Sequence, residues 1–310
     1  MKIKSYKVII TAILIIAAKL GFAQYDLNFT QYMFNETFIN PAYTGSQEAL
    51  SLSASYRNQW IGVEGAPISQ TLVAHTPLPN KKIGVGLAFA NEKAGVLNRT
   101  AAYGNFAYRI IMNKSTFAFG LLAGIQSTRE ELSKIKTSDK IIIDPAFASN
   151  SPTFLSPNFG FGMYYYNQKF YAGVSIPRFI KTSIIGEKAI STIAIEEFNY
   201  YIMAGYLITI NDNLKLKPSF MSSFTKGLPL NTTIAVNSLL KNVLWLGVAY
   251  KTSNTISGLV GFQISPQFKV SYSYDYTLNK LRTQNSGSHE IHVGYLFSFS
   301  KEKITTPRLF

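Results

Sequence analysis

The sequence predicts an all-β fold: a transmembrane antiparallel β-barrel of about 14 strands with short periplasmic turns and longer extracellular loops. Three observations carry this. An export signal opens the chain. Apolar residues alternate with small or polar ones along short segments. Tight connections between these segments take turns with longer ones.

The signal comes first. Lys2, Lys4 and Lys7 make a positive n-region, residues 8–18 are apolar apart from Thr11, and Gly21-Phe22-Ala23 is a small-x-small cleavage site. The mature chain is therefore expected to begin at Gln24. The apolar stretch ends at Lys19, short of the roughly 20 residues that a spanning helix needs, so a retained anchor is the weaker reading. The chain has no cysteine, which excludes lipid attachment at a mature N-terminal Cys, disulfides and thiolate metal sites. The expected organisation is a signal peptide at 1–23, a non-barrel segment at 24–47, an outer-membrane barrel at 48–300 and a periplasmic tail at 301–310.

Composition points the same way. Of 310 residues, 47% are hydrophobic and 14% aromatic. Only 15% are charged, against roughly 25% in an ordinary soluble domain. Yet no apolar run after the signal is long enough to span a bilayer as a helix. A barrel explains both facts, because its apolar lipid face alternates with its lumen face. The formal charge of +14 falls to +10 (26 basic, 16 acidic) once the four lysines of residues 1–23 are removed. The remaining lysines are scattered through turns and loops, not clustered with aromatics, so the expected partners are lipid headgroups or an acidic protein, not nucleic acid.

The alternation is clearest at 268–276, where Phe268, Val270, Tyr272, Tyr274 and Tyr276 oppose Lys269, Ser271, Ser273 and Asp275. Ile83, Val85, Leu87 and Phe89 oppose Gly84, Gly86, Ala88 and Ala90. Phe117, Phe119, Leu121, Ala123 and Ile125 oppose Ala118, Gly120, Leu122, Gly124 and Gln126. Period two defines a strand whose two faces meet different media. Small residues on the presumed lumen face leave room for water, for the N-terminal segment or for a partner peptide. Residues 243–250 are apolar on both faces, as expected of a strand with packed protein inside and lipid outside.

Short connections rich in Asn, Pro and Lys occur around Asn80, Asn113, Asn167, Asp212, Asn242 and Pro266. The interleaved set, 58–66, 129–156, 178–197 and 277–288, is longer, while 93–98 is short. This beat fits an even-stranded barrel with both chain ends in the periplasm; a soluble sandwich has no reason to keep it. The last strand carries His292, Gly294, Phe297 and Phe299, a polar residue, a glycine and two aromatics in the pattern of an outer-membrane assembly signal. That pattern gives His292 a structural role.

The mature N-terminus has no period two. It mixes aromatic, amide, Pro and Gly residues in Gln31-Tyr32-Met33-Phe34-Asn35 and Asn40-Pro41-Ala42-Tyr43-Thr44-Gly45. Such a segment needs burial against protein, in the lumen or under the barrel. After it come Tyr56-Arg57-Asn58-Gln59-Trp60 and Gly65-Ala66-Pro67; near the end come Tyr274-Asp275-Tyr276 and Gly287-Ser288-His289-Glu290-Ile291. Together and in order, these strings resemble the PorP/SprF family of Bacteroidetes outer-membrane proteins, over the whole mature chain. Glu36 departs from the pattern, being charged where an apolar or small residue is expected.

The resemblance implies a barrel of the type IX secretion system that secretes or anchors a surface protein such as a gliding-type adhesin. Its implied partners are outer-membrane lipid, other type IX components and the C-terminal domain of a secreted adhesin or other surface protein. Tyr56, Arg57, Trp60, Asp275, His289 and Glu290 are the candidates for partner binding or for a lumen network. Arg57 either binds a partner carboxylate or pairs with a lumen acid such as Asp275 or Glu290, since a charge in a dry lumen needs a partner. Trp60 reads first as a packing or interface aromatic. A partner strand added to an unmet sheet edge is one route of capture.

The alternative is a passive pore, with Arg57, Arg109, Lys269 and Asp275 lining a constriction. An outer-membrane hydrolase would need a converging nucleophile and base. Ser288-His289-Glu290 is the one candidate, and alternation along a strand points Ser288 away from His289. No catalytic residue is assigned, no cofactor is expected, and the three histidines His75, His289 and His292 lack metal-ligand spacing.

Overall fold

The computed structural model describes residues 29–135, 149–185, 188–193 and 198–297. The signal peptide with its cleavage site, Phe299, the tail 301–310 and much of the longest connection lie outside the described residues. The strands are β1 (Leu50–Asn58), β2 (Ile68–Pro77), β3 (Ile83–Ala94), β4 (Leu97–Ile111), β5 (Ser115–Glu130), β6 (Phe154–Asn167), β7 (Phe170–Ile176), β8 (Lys181–Ile185) and β9 (Lys188–Thr192). They continue as β10 (Tyr200–Tyr206), β11 (Ile208–Asn211), β12 (Leu214–Phe224), β13 (Asn231–Leu240), β14 (Leu244–Lys251), β15 (Thr255–Gln263), β16 (Phe268–Thr277) and β17 (Ser288–Phe297).

Neighbouring strands pair antiparallel around the ring, β1 pairs β17, and β10 pairs β12, so 14 strands close on themselves. The short β11 continues β10 along the edge of β12 past an interruption at Leu207, opposite Lys217 and Pro218. Strands β8 and β9 form a separate hairpin inside the connection from β7 to β10. Among the described residues no helix is long and apolar enough to cross a membrane.

Period two sets the faces. On β16, Ser271, Ser273 and Asp275 are buried while Tyr272 and Tyr276 are exposed. On β3 and β5, Leu87, Phe89, Phe119 and Leu121 point out while Ala88, Ala90, Ala118 and Leu122 point in. The outward rows form the belt of exposed large apolar residues that lipid covers. Strand β14 is apolar on both faces for the reason its sequence suggests: Leu246 and Val248 face out, while Trp245 is buried inside against protein.

One barrel end carries the tight connections 78–82, 112–114, 168–169, 212–213, 241–243 and 264–267. The other end carries 59–67, 131–153, 177–199, 225–230 and 278–287, but also the tight 95–96 and 252–254. The beat is therefore less regular than its longest loops suggest. Strands β3 to β6 are longer than a bilayer crossing requires, and they carry their connections outward.

Candidate functional site: the filled lumen

Residues 29–47 lie inside the barrel, and every one of them is buried except the half-buried Phe34. Three short helical turns give this segment its shape: Tyr32–Phe34, Glu36–Ile39 and Pro41–Tyr43. The last is capped by Asn40, whose Oδ1 accepts from the Ala42 N–H while Pro41 supplies a pre-set φ at the first position. A segment without strand period has no ladder of its own, so its main-chain and side-chain groups bond to the wall instead.

The end of this plug nearest the long loops is polar. Arg57 on β1 lies 2.7 Å from Asp275 on β16 and 3.1 Å from Glu290 on β17. Lys251 on β14 completes the group, 3.1 Å from Asp275. Two cations and two anions share one dry site, and their formal charges cancel. Thr30 sits at its centre. Its Oγ1 lies 2.7 and 2.8 Å from the Asp275 carboxylate oxygens and accepts from Arg57 at 2.7 Å and from Lys251 at 2.8 Å. Its N–H donates to Glu290 at 2.8 Å. Gln31 follows, with Nε2 donating to the Glu290 carbonyl at 3.1 Å and Oε1 accepting from Ser271 at 2.5 Å.

The middle of the plug is aromatic and amide. Phe34 stacks on His292 at 4.6 Å, meets Trp245 edge-on at 5.8 Å and carries the Lys269 ammonium 3.8 Å over its face. His292 Nδ1 lies 3.0 Å from Ser55 Oγ, which also accepts from Asn35. The Tyr32 hydroxyl donates to Ser219 at 2.8 Å. Glu36, the residue that departs from the family pattern, is buried and accepts from the Tyr164 hydroxyl at 3.1 Å. Met33 is buried within the same segment.

The end nearest the short turns packs backbone on backbone. Asn40 Nδ2 donates to the Met163 carbonyl at 2.9 Å, and the Ile39 carbonyl accepts from Ser175 at 2.6 Å. The Gly45 N–H donates to His75 Nδ1 at 3.1 Å, and the Gly45 carbonyl accepts from Arg109 at 2.5 Å. Tyr43 meets His75 and Tyr164 edge-on, each at 5.6 Å. Here the small inward residues have their use. A Cβ on Gly120 would stand 2.0 Å from the Ala42 nitrogen, and one on Gly84 2.1 Å from the Thr44 oxygen.

The candidates taken from the sequence divide by strand parity. Arg57, Asp275 and Glu290 face inward and meet. Tyr56 and His289 face outward, and His289 bonds the Tyr272 hydroxyl at 2.5 Å. Neither belongs to the lumen network, because each is one residue out of phase with it. Trp60 sits half-buried at the foot of the 59–67 connection with its N–H on Ser288 Oγ at 3.1 Å. Ser288 and Glu290 point into the barrel and His289 out of it, so the three do not converge. His292 and Gly294 lie on the inner face of β17 and Phe297 on the outer. Arg109 and Lys269 contact the plug instead of lining an open constriction. Thr30 and Lys251 belong to the charge site although neither was singled out in the sequence; a lone lysine on the inward parity of an aromatic strand was the available signal.

The wall offers little edge. Strand β6 outruns β7, so its residues Phe154–Gly160 pair with β5 only. The Phe159 carbonyl on the free side already accepts from Phe179 at 2.9 Å. Pro157, two residues earlier and facing the same way, has no N–H to give. Strand addition has a poor template there.

The family model for the type IX secretion system membrane protein PorP/SprF matches residues 21–295. The chain belongs to the PorP/SprF family. A search of curated proteins finds no match. Among solved structures, the chain is similar to the Acinetobacter baumannii outer membrane protein Omp33, at 6% identity over 81% of this chain and 98% of that one, with a TM-score of 0.49. It is also similar to a Pseudomonas aeruginosa FadL homologue, at 12% identity over 88% of this chain and 95% of that one, with a TM-score of 0.48. The Pseudomonas putida toluene transporter TodX follows at 11% identity over 84% and 92%, with a TM-score of 0.45. A closed 14-strand barrel in a family of type IX membrane proteins is an outer-membrane component of that secretion system.

Proposed function

We propose that this PorP/SprF protein holds a large secreted surface protein of the adhesin class at the outer membrane, and that it does so from its loop-bearing face instead of passing cargo through its own lumen. The filled lumen carries this reading. Cavities beside the plug are small, about 40 Å³ at the loop side and about 20 Å³ at the turn side, enough for a few waters. A passive pore needs a continuous aqueous path, and the packing of residues 29–47 against opposite walls speaks against one. Capture would then fall to the connections 59–67, 131–153 and 278–287, of which the first and last are tied together through Ile61 and Ser286. The partner's C-terminal domain is the part expected to dock, alongside other type IX components.

The test is a mild-detergent pull-down of the tagged barrel from native outer membrane. A large surface protein should co-purify, and removal of 131–153 should abolish its recovery while the barrel still folds. Recovery of periplasmic secretion components alone would favour a role in the core apparatus. A lone barrel with a steady conductance would favour the pore.

A further inference from the structure

A groove on the outer wall is far larger than the cavities beside the plug, about 610 Å³ against about 40 and about 20 Å³. It lies where β10 stops at Tyr206 and β11 takes over at Ile208, beside Pro218, which has no N–H for the ladder. A small outward residue, Ala204, stands there among large ones: Phe170 and Tyr206 toward the turn side, Phe220, Ile234 and Val236 across β12 and β13. All five large side chains are exposed within the lipid belt. The Ser and Thr hydroxyls of the lining are already used. Ser219 faces the lumen and accepts from Tyr32, while Ser222 and Thr232 bond each other. The surface left is hydrocarbon, with the Tyr206 hydroxyl at its turn-side end. Lys169 adjoins that end, its carbonyl accepting from the Leu207 N–H at 2.6 Å. Lys215 and Lys241 continue the rim, Lys215 Nζ lying 3.1 Å from Asn242 Oδ1. Asp212 is the one acid in the turns 168–169, 212–213 and 241–243.

We infer that this groove is a binding site for one anionic phospholipid of the periplasmic leaflet, with an acyl chain along Ala204 and the phosphate at Lys169 and Tyr206. The groove follows β12 from Pro218 to Ser222, a run of about 13 Å along the strand. An acyl chain has no polar group to leave unmet on such a surface, and the lysines stand at the end where its headgroup would lie. A second copy of the barrel fits less well. A two-fold contact through this face would bring both lysine rims together, like charge on like charge. Bulk lipid already surrounds an acyl chain with hydrocarbon, so burial from water does not favour the groove. Contact with both walls and the floor does, together with the headgroup charge. The inference stands on the outer wall alone and is independent of what the loop face captures.

The test is native mass spectrometry of the intact barrel, delipidated in detergent and titrated with dipalmitoyl phosphatidylglycerol. Folding is checked by heat-modifiable migration. The unmodified barrel should retain one lipid more tightly than any further ones. Ala204→Trp fills the groove and should remove that first binding step. Val248→Trp adds the same bulk elsewhere on the lipid face, at a residue 64% exposed, and should leave it intact. Lys169→Gln should weaken it about fivefold, the share of one lysine beside an anionic headgroup. Graded, non-specific lipid adducts on the unmodified barrel would overturn the inference. So would equal retention by Ala204→Trp and Val248→Trp, or a barrel dimer that Ala204→Trp dissolves. Should Ala204→Trp fail to fold, Ala204→Leu replaces it under the same criteria.

Discussion

The two ends of the plug are held by different physics. At the loop side, Thr30 and Gln31 are held by a neutral group of four buried charges drawn from β1, β14, β16 and β17. At the turn side, residues 40–45 lie directly on the wall, where Gly84 and Gly120 have given up their side chains to admit a backbone and Gly162 to admit the side chains of Asn40 and Pro41. Ionic contacts depend on every partner being present. Steric contacts depend on every partner being absent. The first kind fixes the register of strands far apart in sequence; the second fixes depth. The lesson is that one buried segment ties distant parts of the ring together, a task that hydrogen bonds between neighbouring strands do not perform.

Breaking the ionic end should have the largest effect. Asp275→Ala leaves Arg57 and Lys251 buried without their shared anion, and losing one member of a buried pair costs about 3–5 kcal/mol. The barrel should unfold at lower temperature, read by heat-modifiable migration. Asp275→Asn, which keeps the size and some hydrogen bonds, should lose less. Equal losses would mean that charge is not what holds this end.

The steric end comes next. Gly120→Ala forces a methyl into the Ala42 backbone, and overpacking of this kind costs about 1–3 kcal/mol. Gly258→Ala is the control, because a Cβ there meets nothing within 4 Å. The first variant should expose the plug to protease and the second should not. Matching protease patterns for the two would remove the argument for glycine at this end.

The smallest effect sharpens the contrast between inner and outer parity. Tyr56 is the immediate neighbour of Arg57 but faces outward, so Tyr56→Leu should change stability by no more than about 0.5 kcal/mol. If the loss rivals that of Asp275→Ala, the faces of β1 are wrongly assigned.

Most of the wall was legible because period two is read one residue at a time. Ser271, Ser273 and Asp275 alternate with Tyr272, Tyr274 and Tyr276, and the fold keeps that order. The pairing of Arg57 with Asp275 and Glu290 is one of two readings that the sequence leaves open, since inward charges in a dry lumen must meet something. The plug was legible only as a segment that had to be buried. Which residues it touches is a matter of contacts spanning 20 to 260 positions, such as Asn35 to Ser55 and Thr30 to Glu290, and no local pattern encodes them. Tyr56 and His289 were grouped with the charge site by nearness in sequence, which a strand converts into opposite faces. Glu36 looked out of place because its hydrogen-bond donor, Tyr164, comes from β6.

The central claim is that residues 29–47 fill the barrel, and single-channel recording of the purified intact protein in a planar bilayer tests it most directly. A closed bilayer, with at most brief flickers, is the result this account predicts. A steady, ohmic open state in the unmodified protein would contradict it and return the molecule to the passive pores.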